Sequence, residues 1–168
     1  MRVLELGCGD NPTLRDGWEH LDTRPLEHIE HVQSATDLSN FEADSFDMLT
    51  SRDLIEHIPW PDVPAVLREW LRVLKPGGSL EVETPSAYEL MEIVRNPHNP
   101  ALNRRYKESD FELFNRTAFG HQDYQGNQHY SYFTDQWLRI LLMEAGYTNI
   151  ELTPESTFRR FKMIARKP

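Results

Sequence analysis

The sequence predicts an α/β domain built on a mostly parallel sheet, and three features point there. Short apolar runs that end in polar turns recur along the chain, amphipathic helical stretches stand between some of them, and the first run stops at a Gly-Cys-Gly loop. The 168 residues suit one domain, within the usual span of about 100 to 200 residues. We read 1–168 as that single domain, with residues 86–132 inserted as a lid or pocket wall.

Val3-Leu4-Glu5-Leu6 is the first strand, and Gly7-Cys8-Gly9 after it marks a tight turn. Trp18–Asp22, His31–Thr36 and Phe46–Thr50 read as the next three strands. Asp62 is the expected N-cap of the first clear helix, with Pro64 in its first turn and Val63, Val66, Leu67, Trp70, Leu71 and Leu74 apolar. Lys75-Pro76-Gly77-Gly78 should stop it. Ser79–Glu83 is a fifth strand ended by Pro85, and Glu81 and Glu83 alternating with Leu80 and Val82 imply one wet face, or else a Glu83 that points into the site. From Ser86 to Tyr132 the chain is too long for an ordinary loop, and one helix is expected over Ala87–Arg95. Thr134 can cap a last helix that sets Trp137, Leu138, Leu141, Leu142 and Ala145 on one face before Gly146 closes it. Two strands follow, near Tyr147–Leu152 and Phe158–Ala165.

Composition narrows the function. Lys and Arg number 18 against 27 Asp and Glu, a net charge of −9, which disfavours nucleic acid as the partner and favours a small ligand. One cysteine, Cys8, makes no intrachain disulfide, so a reducing compartment is expected. No stretch of about 18 apolar residues and no leader-like N-terminus occur, so the expectation is a cytoplasmic protein without a membrane partner.

Parallel sheets bind ligands beyond the carboxyl ends of their strands. There, Gly7 and Gly9 let backbone approach a ligand that a Cβ would exclude, although a plain tight turn uses the same residues. Pro12 stands where a dinucleotide-binding loop has its third glycine, and no Gly-Lys-Ser/Thr follows, so pyrophosphate is disfavoured. Asp22, beside Thr23, can accept hydrogen bonds from both hydroxyls of a ribose, or can cap a turn. Asp37 could take an exocyclic amine while Leu38 covers a purine. Glu5, a carboxylate inside an apolar strand, needs partners that a backbone turn and a ligand ammonium could supply. An adenosine carrying an amino acid fits all of these.

Leu4-Glu5-Leu6-Gly7-Cys8-Gly9, Leu21-Asp22, Thr36-Asp37-Leu38, Ser45-Phe46-Asp47-Met48-Leu49 and Leu71-Arg72-Val73-Leu74-Lys75-Pro76-Gly77-Gly78 resemble, in order, the motifs of class I S-adenosylmethionine-dependent methyltransferases. The resemblance covers residues 2–84 closely and touches Phe133–Tyr147. It implies a Rossmann-like, seven-stranded, mostly parallel sheet with the last strand antiparallel. It implies S-adenosylmethionine as cofactor, with Gly7, Cys8 and Gly9 beneath the methionine part, Glu5 holding that loop, Asp22 and Thr23 at the ribose, and Asp37 and Leu38 at the adenine. Three departures stand out. Asn11 replaces the usual third glycine, the stretches 10–17 and 23–30 leave the first two crossover helices short or missing, and the chain opens on the first strand without the helix that usually closes over the cofactor. A partner subunit, such as a homodimer mate, or the 86–132 segment is expected to supply that cover.

Methyl transfer needs alignment, exclusion of water, and a base where the acceptor must lose a proton. His57, just past the fourth strand, and His129, late in the inserted segment, are the catalytic candidates, set against a helix-end hydrogen bond for His57 and a solvated loop for His129. Ser51, Arg52 and Asp53 follow the fourth strand directly, where they could touch the amino-acid part of the cofactor or the acceptor, with Arg52 the candidate acceptor anchor. His20, His28 and His31 read as solvated residues, and no metal is expected. Arg104, Arg105 and Lys107 form a basic cluster that is either a phosphate site or a solvated face. Arg159, Arg160, Lys162, Arg166 and Lys167 could shield an exposed strand edge. The reading is an enzyme that methylates O or N of a small-molecule acceptor, with a sugar or nucleotide-sugar first in line. The alternative is a non-catalytic S-adenosylmethionine-binding partner or regulator.

Overall fold

The computed structural model describes residues 1–102, 104, 107–124 and 126–168. Seven strands form one sheet: β1 (Val3–Leu6), β2 (Trp18–Asp22), β3 (His31–Val32), β4 (Phe46–Arg52), β5 (Leu74–Pro85), β6 (Thr148–Leu152) and β7 (Arg160–Arg166). Their order is β3-β2-β1-β4-β5-β7-β6. The first five pair in parallel, and β7 runs antiparallel between β5 and β6. This is the expected Rossmann-like sheet. Strand order reverses between β1 and β4, so their carboxyl ends splay apart into a crevice.

Among the described residues four α-helices accompany the sheet: α1 (Val63–Val73), α2 (Ala87–Arg95), α3 (Asp110–Phe119) and α4 (Asp135–Ala145). On α1, Val63, Val66, Leu67, Trp70 and Val73 recur at helical spacing and are buried. α4 presents Leu138, Leu142 and Ala145, and α1 and α4 pack together on the sheet over Leu4, Leu6, Leu49, Leu80 and Val82. Trp70 is fully buried and its indole N–H donates to the Ala35 carbonyl at 2.8 Å. Burying an apolar side chain of this kind stabilises the fold by about 1.5 to 3 kcal/mol. Trp137, expected on the same face of α4, is instead 52% exposed, because the buried stripe passes through Leu138 one position further on.

Several expectations need correction. The third strand is only His31–Val32, since the chain then turns at Gln33–Thr36. Asp62 makes no side-chain cap; its backbone carbonyl accepts from Ala65 and Val66 instead. Lys75–Gly78 ends α1 but does not delay the next strand. β5 starts at Leu74 and absorbs those residues as an irregularity, with register moving from Phe46↔Leu74 to Met48↔Ser79. The inserted segment holds α3 as well as α2. Ser109 and Glu112 close a capping box at its start, and Ile93, Leu102 and Leu113 form a small core of their own.

Among the described residues no helix lies in 7–17, 23–30 or 33–45, so the second sheet face is covered by loops and charge. Behind β1 the Glu5 carboxylate is buried and accepts from the Thr13 amide at 2.7 Å and the Thr13 hydroxyl at 3.0 Å. Farther along, Glu81 pairs with Lys162, and Glu83 with Arg160 at 3.0 Å; Glu83 lines the larger cavity described below, so at that end the face of β5 opens on the site. The basic residues near the C-terminus shield no edge as a group, because β7 is an interior strand and β6 lies outside it. Among the described residues, no helix is long and apolar enough to cross a membrane.

Candidate functional site

Two cavities meet at the carboxyl ends of β1, β2 and β4. The smaller, about 270 Å³, is lined by Gly7, Gly9, Asp22, Thr23, Ser34 and Thr36 among others. The larger, about 910 Å³, is walled by charged and polar side chains including Glu56, Glu89, Arg116, His129 and Arg159. Asp53, His57 and Tyr124 line both.

The smaller cavity is shaped by backbone conformation. Gly7 and Gly9 have φ of +63° and +61°, and a Cβ on Gly7 would stand 2.7 Å from Leu54 Cδ1. The Gly7 amide donates to the Leu21 carbonyl at 2.7 Å, and the Gly9 amide to Asp22 Oδ2 at 3.0 Å. Glu5, through Thr13, ties down the far end of the same loop, so it holds the loop as expected. Its carboxylate is filled by the protein's own donors. Asp22 is buried at the rim, where Arg24 donates to Oδ1 through its amide at 2.9 Å and its Nε at 3.1 Å. Burial pulls the Asp22 pKa upward, but the Arg24 hydrogen bonds and charge outweigh it and hold the carboxyl below its ordinary value. The Asp22 carboxylate is thus already paired with Arg24. The Arg24 guanidinium lies 5.0 Å from the Tyr124 ring, and Tyr124 and Gly126 bring the inserted segment over this cavity.

Not every expected residue reaches the site. Leu38 is fully buried in the core, so its side chain covers no ligand; Gln33, Ser34, Ala35 and Thr36 form that wall instead. The Asp37 carboxylate is exposed and accepts from the Ser39 amide at 3.0 Å, a turn contact outside the cavity lining. Ser51 is buried and Arg52 is exposed, and neither lines either of these two cavities, whereas Asp53 lines both. Cys8 is half-buried behind the two glycines rather than at the cavity wall. Of the three grouped histidines, His20 is buried, not solvated: its Nδ1 lies 3.0 Å from Glu30 and its Nε2 3.2 Å from the Thr13 carbonyl. His28 reaches the Gly9 carbonyl at 2.7 Å and His31 pairs with Glu19 at 2.8 Å, so both serve local structure. Arg104 is spent on the Pro97 and Glu108 carbonyls and on Asp110, while Arg105 lies outside the described residues.

The catalytic candidates do come together. His57, in a short 3₁₀ turn over Ile55–His57, and His129 have ring centroids 4.9 Å apart at 75°. Nδ1 of His57 lies 2.9 Å from the Gln128 carbonyl, and Nδ1 of His129 lies 3.1 Å from the Thr117 carbonyl. A carbonyl only accepts, so each ring carries its proton on Nδ1 and keeps a lone pair on Nε2. Burial lowers the pKa of both, that of His129 to about 4 with help from His57, so both are neutral at pH 7. His129 is therefore neither solvated nor incidental. Glu56 lies beside them and is buried; its Oε2 accepts from the Thr84 hydroxyl at 3.0 Å, and burial, with the nearby Asp53 charge, raises its pKa to about 8. The Glu56 carbonyl accepts from Tyr130 and Ser131, which latches the inserted segment onto the end of β4.

The sequence named Asp53 beside Ser51 and Arg52, and of those three Asp53 lines both cavities; it did not single out Glu56. The readable signal was Asp53-x-x-Glu56-His57, three polar groups one helical turn apart directly after a core strand. Arg159, Arg160 and Lys162, expected at a sheet edge, face the larger cavity because β7 lies beside β5.

A methyltransferase-domain family model matches residues 1–152, and the chain belongs to that family. It is similar to the ubiquinone biosynthesis O-methyltransferase of Xanthomonas axonopodis pv. citri, 41% identical over an alignment of 114 positions that covers 53% of this chain and 46% of the relative. The chain thus spans less than half the length of the curated relatives it matches, from 26% to 46%. In fold it is similar to a protein of Pyrococcus horikoshii (TM-score 0.66, 18% identity, covering 99% of this chain and 82% of that one). It is also similar to the Burkholderia thailandensis 1,6-didemethyltoxoflavin-N1-methyltransferase, which was solved with S-adenosylhomocysteine (TM-score 0.60, 16% identity, covering 98% and 70%).

Proposed function

We propose that this chain binds S-adenosylmethionine in the smaller cavity and transfers its methyl group to an oxygen or nitrogen of a small acceptor in the larger one. The observation that carries the reading is that the two cavities share Asp53, His57 and Tyr124, so a donor and an acceptor can meet at one junction. Family membership and the bound cofactor product in a fold neighbour support the choice of donor. In the transfer the sulfur–methyl bond breaks as the new bond to the acceptor atom forms, and sulfur keeps the electron pair. The proton that the acceptor loses passes to a neutral imidazole lone pair of His57 or His129. Asp22 and Thr23 serve the ribose, and Gly7 and Gly9 pass beneath the methionine part.

The polar, charged wall of the larger cavity supports a hydrophilic acceptor, with a sugar or nucleotide-sugar the first class to screen. Calorimetric titration with S-adenosylmethionine and S-adenosylhomocysteine tests the donor half, and an acceptor screen with mass detection tests the transfer. Saturable binding at one site with a product heavier by one methyl group is expected. Absence of binding refutes the reading, and binding without turnover across acceptors favours a regulatory or partner role.

A further inference from the structure

Glu56, His57 and His129 can each offer one ligand atom such that the three atoms lie within 4.8 Å of one another. Glu56 is 2% exposed, and its Oε1 has no hydrogen-bond partner among the described residues. Leaving such an atom unpaired costs stability unless something binds it. Both neighbouring imidazoles face a backbone carbonyl with Nδ1, shared at His129 with the Tyr132 hydroxyl at 3.1 Å, and a carbonyl only accepts, which leaves Nε2 as the lone-pair nitrogen. With Glu56 ionised, three acceptor atoms converge, and the species that satisfies all three at once is a cation; a proton on Oε1 would serve only one imidazole. Carbonyl-anchored imidazoles are also the arrangement in which histidines ligate metals, since the outer hydrogen bond fixes tautomer and ring orientation. Thr84 plays the corresponding part for the carboxylate by holding Oε2.

We infer that Glu56, His57 and His129 form a binding site for one divalent transition-metal ion, open toward the acceptor cavity. Two nitrogens and one carboxylate oxygen favour Zn²⁺, Mn²⁺, Fe²⁺ or Co²⁺ over Mg²⁺ and Ca²⁺, which prefer oxygen. Ligands at about 2.0 to 2.2 Å from an ion stand roughly 3 to 3.5 Å apart, so small side-chain rotations close the site. Three protein ligands leave coordination positions vacant, and all three residues line the larger cavity, so an acceptor hydroxyl can complete the shell. The inference reverses the sequence expectation of no metal. That expectation weighed His20, His28 and His31, whereas this set unites residues 72 positions apart in sequence. Only the ion's role rests on the methyl-transfer reading: with the ion bound, the imidazoles hold it instead of taking protons, and an ion-bound acceptor oxygen loses its proton to water. The site itself stands apart from that reading.

The test is titration of the chelator-treated full chain with Co²⁺, followed by visible absorption, with Zn²⁺ competition by calorimetry. Saturation at one ion per chain is expected, with affinity lowered about tenfold or more in His129→Ala and Glu56→Gln. Circular dichroism checks that each variant is folded. Pulsed EPR of Mn²⁺ on the unmutated protein reads imidazole nitrogen couplings and needs no variant at all. No saturable binding, no nitrogen coupling, or equal affinity in folded variants overturns the site. Calorimetry with S-adenosylhomocysteine on the same samples separates the two ideas: metal binding without cofactor binding sinks the proposed function alone, and the converse sinks the metal site alone.

Discussion

Cys8 sits half-buried between the Glu5 and Asp22 carboxylates, and burial together with those charges pushes its thiol up to about 12. A raised thiol pKa keeps the neutral form, so the thiolate is scarce below that pH and grows only as pH climbs toward it. Alkylation by iodoacetamide at pH 8.5 should therefore run about a thousandfold slower than for an ordinary cysteine; a rate like that of free cysteine would contradict the burial. At Asp22 two roles compete, since Arg24 holds the carboxylate that a ribose needs. Asp22→Ala should weaken S-adenosylmethionine binding by about 1.5 to 3 kcal/mol, the worth of charge-assisted hydrogen bonds, and unchanged calorimetric affinity would remove Asp22 from the site. Gly7 has a third kind of constraint. At φ +63° with Leu54 against its missing Cβ, Gly7→Ala should destabilise the fold by at least about 1 kcal/mol in urea titration.

Among the elements, α4 is the most simply specified. Thr134 accepts from the Trp137 amide at 3.2 Å and Gly146 closes the helix at φ +106°, so Thr134→Ala should cost about 1 kcal/mol of stability by chemical denaturation. The inserted segment is held differently, through its ends. Ser131 donates to the Ile58 carbonyl at 2.6 Å, and Gln128 and Tyr130 bond to His57 and Glu56. Ser131→Ala should speed amide hydrogen exchange in 120–131 while leaving α1 and α4 protected, because only the latch is released. Uniform loss of protection would mean that the segment is part of the global folding unit. The contrast explains what was readable. Thr134, the α4 apolar spacing and Gly146 are local signals, whereas the segment's position depends on backbone contacts to the 3₁₀ turn some 70 residues earlier in the chain. α3 was hidden for a related reason: few of its apolar residues are buried, with Phe111 and Phe119 exposed, and Leu113 packs with Ile93 of α2 rather than in the main core.

For the whole molecule, a ligand that binds only the folded chain must raise its stability. At a hundredfold excess over Kd, S-adenosylhomocysteine should add about 2.7 kcal/mol, read as a rise in melting temperature; no shift would place the binding outside the native fold. The sheet itself was legible because each strand announces itself locally. Apolar runs, the Gly7-Cys8-Gly9 turn, the Trp70 stripe of α1 and the spacing of Asp22 lie within short windows, and burial demands those residue types at those periods. Linear order also fixed which loops gather at the carboxyl ends of a parallel sheet. It could not fix which side chains of those loops face the crevice. Leu38 turned into the core, Arg52 turned to water, and Asp53 took the opening, because a one-residue change of phase sends a side chain to the opposite side. Nor could it bring His129 against His57 and Glu56, or set Arg159 and Arg160 beside the acceptor cavity, since those meetings depend on β7 inserting between β5 and β6 and on the inserted segment folding back over β4. Local periodicity encodes what a strand or helix buries, while contacts between distant segments exist only once the chain has packed.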